Sequence, residues 1–166
     1  MFDLINGLPI HPLVVHAVVV LLPLATLGTL AIAVRPAWRR AYGPLVVACA
    51  AVATVLIPVA TSSGEALEKH VGNPGEHAEL GDQLIWFAIP MLVLAAALWW
   101  LDRRAVAAAG TSVGSSTGSS AGSSSPGVVR FAAALAVVAA LATTVQVYRV
   151  GDSGARAAWG DQVASK

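Results

Sequence analysis

Four stretches of this chain, 12–34, 45–63, 84–101 and 129–148, are apolar with hardly an interruption. A helix needs about 20 such residues to cross the hydrocarbon core of a bilayer. Composition agrees. The 166 residues are 57% hydrophobic and 11% charged, whereas a soluble domain carries roughly 25% charged residues to cover its surface. The expected fold is therefore all-α, a single membrane domain over 1–166 built as a bundle of four transmembrane helices. Lipid is its first partner. The net charge of +1 and the lack of a basic cluster give no reason to expect nucleic acid. The lone cysteine, Cys49, sits inside an apolar run, where it reads as a small packing residue and rules out an internal disulfide.

Punctuation along the chain sets the expected connections. Pro12 suits the first turn of a helix, where its missing N–H is no loss. Pro23, Pro58 and Pro90 fall inside or near the end of apolar runs and predict kinks or a break. The segment 35–44, with Arg35, Arg39, Arg40, Trp38 and Tyr42, reads as a basic turn with interfacial aromatics. Helix two is expected to continue in water to about His70, to break at Gly72-Asn73-Pro74-Gly75, and to resume near Glu76. Residues 105–128 form a Gly/Ser-rich stretch that reads as a flexible cytoplasmic linker. On helix four, Ala132, Ala136 and Ala140 make a stripe of small residues that permits close helix contact.

Orientation follows from where the Lys and Arg residues lie. Arg35, Arg39, Arg40, Arg103, Arg104 and Arg130 flank one end of the helices, against Lys69 alone in the acidic loop between helices two and three. The positive-inside rule then puts both termini and the acidic loop outside the cell membrane. The first apolar segment lacks a preceding positive residue, so it is expected to stay as an anchor and not to be cleaved as a signal.

All four histidines, His11, His16, His70 and His77, fall on that outer side. His16 lies about one turn inside helix one, and an ionisable side chain in an apolar segment is the first place to look for function. His11 and His16 are about 140° apart around a helix, so they are no i, i+4 metal pair. The sharpest expectation is a haem b held between helices near the outer face, for electron transfer. His16 would be one axial ligand, with His77 or His70 as the other and His11 as a companion, and Arg149 or Arg156 would pair with the propionates. A second is a divalent metal or copper bound by His16, His77 and His70 with Glu65 and Glu68. A third has His16 hydrogen-bonded to Gln146 or Thr143 on helix four, a contact worth about 0.6–2 kcal/mol.

Other classes find little support. Asp152-Ser153 has no histidine near it in sequence, so no nucleophile–base pair can be read and an enzyme is not expected. No phosphate-binding loop, dinucleotide fingerprint or zinc-protease motif occurs. Four helices without a charge at mid-depth offer a transporter no ion path. The competing class is a non-catalytic structural or accessory subunit of a membrane complex.

The entry into helix one, His11-Pro12-Leu13-Val14-Val15-His16, resembles that of a family of small bacterial four-helix membrane proteins classed as a domain of unknown function. The likeness extends to the Gly64-Glu65 helix end, the histidine-bearing loop before helix three and the tail Gly151-Asp152-Ser153-Gly154. Many members carry His where this chain has Asp152. The resemblance implies the four-helix architecture, and some relatives are joined to Rieske-type iron–sulfur domains, which adds weight to electron transfer; the partner expected beside lipid is a redox protein or a membrane complex.

The topology has a direct check. A cysteine placed at Ser116 should react with a membrane-impermeant maleimide only from the cytoplasmic side. Labelling of intact cells from outside would reverse the orientation.

Overall fold

The computed structural model describes residues 4–5, 8–72, 75–111 and 125–164. It consists of four helices, α1 (Ile10–Val34), α2 (Pro36–Val71), α3 (Glu76–Thr111) and α4 (Pro126–Ala164). Each is long and apolar enough to cross a membrane. A two-residue antiparallel pairing of Leu4–Ile5 with Leu8–Pro9 precedes α1 and leaves the all-α class unchanged. The helices form a ring in which α1 and α3 each pack against α2 and α4, while α1 and α3 lie across the bundle and scarcely touch.

The reversal between α1 and α2 is far tighter than the turn expected over 35–44. Only Arg35 is non-helical, at φ −114° and ψ 96°, and Pro36 already opens α2. Arg39 explains how so abrupt a turn is tolerated. Its guanidinium is buried and donates from Nε to the Ile32 carbonyl at 2.8 Å and from Nη2 to the Ala33 carbonyl at 3.0 Å. Those are carbonyls that the end of α1 leaves without helical partners. Its Nη1 reaches Asp102 of α3 at 3.3 Å. A residue that the sequence placed in an interfacial turn thus ties three helices together. The adjoining Gly43 lies so close to the Trp99 ring that a Cβ would overlap it.

Pro23, Pro44, Pro58 and Pro90 all lie within continuous helices, so Pro58, expected as a kink or a break, does not break α2. The expected interruption at Gly72 does. Gly72 and Gly75 take φ of 91° and 61°, a conformation open to residues without a Cβ, and the Gly72 N–H closes α2 on the Glu68 carbonyl at 2.8 Å. The Gly/Ser-rich stretch is helical at both ends, to Thr111 and again from Pro126; its residues 112–124 lie outside the described residues. Ser125 caps α4 through its Oγ, 3.4 Å from the Val128 N–H, with Pro126 in the first helical position. α4 also runs on through Gly151, Gly154 and Gly160.

Two apolar clusters fill the bundle. One centres on Leu22, Ala53, Ile57, Ala88 and Met91, and the other on Ile32, Leu98 and Ala136. The alanine stripe of α4 is buried as its spacing predicts. Polar side chains in the interior find partners within the protein. Thr26, Thr29 and Thr54 donate to carbonyls one turn back, and Gln146 donates to the Leu80 carbonyl at 3.0 Å. Among the described residues no buried side-chain polar atom lacks a partner.

Arg39→Ala should destabilise the protein by about 3–5 kcal/mol, because it strands Asp102 and the α1 carbonyls away from water. Reversible unfolding in detergent measures this. Asp102→Ala added to Arg39→Ala should recover part of the loss, and purely additive losses would show the pair is not coupled.

Candidate functional site

Among the described side chains, the histidines that face the bundle interior are His11 and His77. In α1 the positions 11, 18, 25 and 32 recur every seven residues, about two helical turns, and Val18, Ala25 and Ile32 are buried. In α3 the positions 77, 84, 91 and 98 do the same, with Leu84, Met91 and Leu98 buried. Each histidine therefore continues the core seam of its helix at the end where the acidic loop lies. The core ends there in imidazole where hydrocarbon would be expected.

Both rings are held in the same way. His11 Nδ1 lies 2.9 Å from the Ala60 carbonyl and 3.2 Å from Ser63 Oγ on α2. His77 Nδ1 lies 3.1 Å from the Val150 carbonyl and 3.4 Å from Ser153 Oγ on α4. The serine hydroxyls donate to those same carbonyls, at 2.9 Å and 3.0 Å. A carbonyl oxygen can only accept, so in each ring Nδ1 carries the proton. The neutral imidazole then keeps its lone pair on Nε2. A glycine follows each serine, and a Cβ on Gly64 or Gly154 would come within 3.0 Å of the neighbouring ring. Glycine is what lets the imidazole lie flat against the partner helix.

The other expected site residues are placed differently. His16 is exposed on the perimeter of α1, and its Nδ1 hydrogen-bonds the Pro12 carbonyl of its own helix. The expected bond to Gln146 or Thr143 is not made; the Thr143 hydroxyl lies 2.8 Å from the Ala139 carbonyl and 3.1 Å from that of Phe87, and Gln146 donates to the Leu80 carbonyl. The reason is angular, since His16 lies about 140° from the seam position of His11. His70 is in the last turn of α2, and its side chain lies outside the described residues. Glu65 is exposed and Glu68 half-buried, and no group of three metal-ligating side chains occurs among the described residues. Arg149 is exposed, next to the Val150 carbonyl that holds His77. Arg156 pairs with Asp152 one turn away on α4, as their spacing predicts.

Ser153 does have a histidine beside it, contrary to the reading of sequence neighbours alone. The proton runs the wrong way for nucleophilic activation, however, because His77 Nδ1–H donates toward the serine and accepts nothing from it. Ser63, Gly64, Ser153 and Gly154 were not singled out as site residues. The signal that could have found them is the Ser-Gly dipeptide that recurs near the ends of α2 and α4.

The chain belongs to the family described as "Predicted membrane protein (DUF2231)", whose match covers residues 7–166. It is thus a multi-pass membrane protein of a family whose domain has no known function. Neither the curated proteins nor the solved structures compared with it returned a match.

Gly64→Ala and Gly154→Ala should each cost about 1–3 kcal/mol by pressing a methyl into the imidazole. Gly151→Ala meets open space and should be neutral or mildly stabilising. Thermal unfolding in detergent separates the two, and equal effects at all three positions would show the rings are not confined by the glycines.

Proposed function

We propose that this membrane protein carries an imidazole-ligated haem b or transition metal at the histidine end of the bundle and serves in one-electron transfer, with His11 and His77 as the ligating residues. The observation that supports this reading is the Nδ1–H to carbonyl bond of each ring, which leaves Nε2 free to ligate. Metal-binding histidines are typically oriented in this way, by a carbonyl or carboxylate that accepts from the ring nitrogen not on the metal. Helix bundles build cofactor sites from inward-facing side chains on facing helices, and His11 and His77 meet that requirement where His16 does not. Arg149, beside the His77 clasp, is the suitable partner for a propionate, since Arg156 is already paired. The distribution of Lys and Arg supports an outer-face location for this end. Electrons would pass to and from a redox partner protein.

The accessory-subunit reading has one observation in its favour. Only 17% of the apolar window of α4 is buried within the bundle, against 39% for α1, which leaves α4 an apolar face that another membrane protein or lipid can cover.

Absorption spectra of protein purified from haem-replete and metal-replete cells, with metal analysis, test the proposal. A Soret band with sharp reduced α and β bands is expected, lost in His11→Ala and in His77→Ala and kept in His16→Ala. A colourless, metal-free protein would overturn it in favour of the accessory subunit.

A further inference from the structure

The clasps at His11 and His77 are the end of a correspondence that runs through the whole bundle. His11 is the second residue of α1, and His77 is the second residue of α3. From there most buried positions match in step: Val18 with Leu84, Leu22 with Ala88, Ala25 with Met91, Thr29 with Ala95, Ile32 with Leu98; the counterparts of Thr26, Ala33 and Leu80 are half-buried. On the second helix of each half, Val46 matches Ala136, Ala50 matches Ala140 and Ala53 matches Thr143, and beyond them Ala60, Ser63 and Gly64 match Val150, Ser153 and Gly154. The packing has the same symmetry, because α1 and α3 each lie against both α2 and α4. The α1–α2 and α3–α4 hairpins are therefore two copies of one unit, related by a pseudo-two-fold axis along the bundle, as in parallel repeats about the membrane normal.

Drift between the copies is uneven. Most paired core positions differ in side chain and share only burial. The Arg39–Asp102 pair at the opposite end has no counterpart at all, since Val129 and Pro36 occupy the matching places. The histidine, the serine and the glycine of the clasp are the same in both halves. Packing alone tolerates exchange of one apolar residue for another; a pair of ligands related by an axis does not.

Resting on the histidine-ligand reading above, we propose that the two halves contribute to one metal centre and not two: a single imidazole-coordinated metal ion, as haem iron or as a bare transition metal, bound across the pseudo-two-fold axis by Nε2 of His11 from one half and Nε2 of His77 from the other. Both rings sit on core-seam positions of the two helices that face each other across the bundle, with Ser63-Gly64 and Ser153-Gly154 as matching backings. The two ligands are thus equivalent in chemistry and in support.

The test titrates the purified full-length protein in detergent with haemin in one arm and with Co(II) in the other, reading the Soret and the d–d bands. One centre per chain is expected in one of the two arms, which identifies the form of the metal. His11→Gln and His77→Gln keep an amide N–H that can hold the clasp, so folding is preserved and checked by thermal unfolding. Each should abolish the wild-type spectrum to the same extent, and added imidazole should restore it in both. Ser63→Ala and Ser153→Ala should weaken binding by similar factors, about tenfold or more. Two centres per chain, or loss in one glutamine variant with full binding in the other, would overturn the shared site while leaving histidine ligation standing. Absence of any centre in both arms would overturn the ligand reading itself.

Discussion

A bilayer interior offers no water to a stranded amide or guanidinium, so each polar group carried into it must find its partner within the protein. That constraint shapes both ends of this bundle. At one end α1 stops abruptly, and its last carbonyls would lack partners were it not for the Arg39 guanidinium folded back over Ile32 and Ala33. Asp102 then balances the charge. The tight α1–α2 hairpin, and with it the register of the two helices, depends on this satisfied cation. The threonines inside the helices obey the same rule in a smaller way, each returning its hydroxyl to a carbonyl of its own helix.

At the histidine end the same constraint has a different outcome. Each imidazole has two nitrogens, and the clasp satisfies only one of them. Nδ1 is fixed on a carbonyl and a serine, so the ring is oriented and its tautomer set. An imidazole kept only for packing would be served by one such bond. The arrangement occurs twice, at equivalent places in two equivalent hairpins. Glycine beside each ring removes the Cβ that would push it away. In a ring protonated at Nδ1 the lone pair sits on Nε2, the atom through which an imidazole meets a proton or a metal ion.

The four spans, the break at Gly72 and the burial of the α4 alanine stripe were all legible from hydropathy, turn residues and small-residue spacing. Helix ends were less so. Arg35 to Pro44 looked like a turn because Arg, Pro and Gly are turn-rich, yet burial of Arg39 overrode local preference. The direction each histidine faces was not legible at all. His16 stood out because it interrupts an apolar run, but the seam of α1 runs through His11, Val18, Ala25 and Ile32. Hydropathy reports how deep a residue lies along a helix and not the direction it faces.

By itself the sequence determined the solvent, the number of crossings and the end of the bundle at which the histidines gather, because each depends only on apolar length and on where charges fall along the chain. Tertiary structure decided which histidines look inward, which nitrogen each exposes, and that the two hairpins repeat one another. Those properties arise from contacts between residues as distant as His77 and Val150. No local pattern encodes such a contact, since it exists only once α3 and α4 are packed side by side.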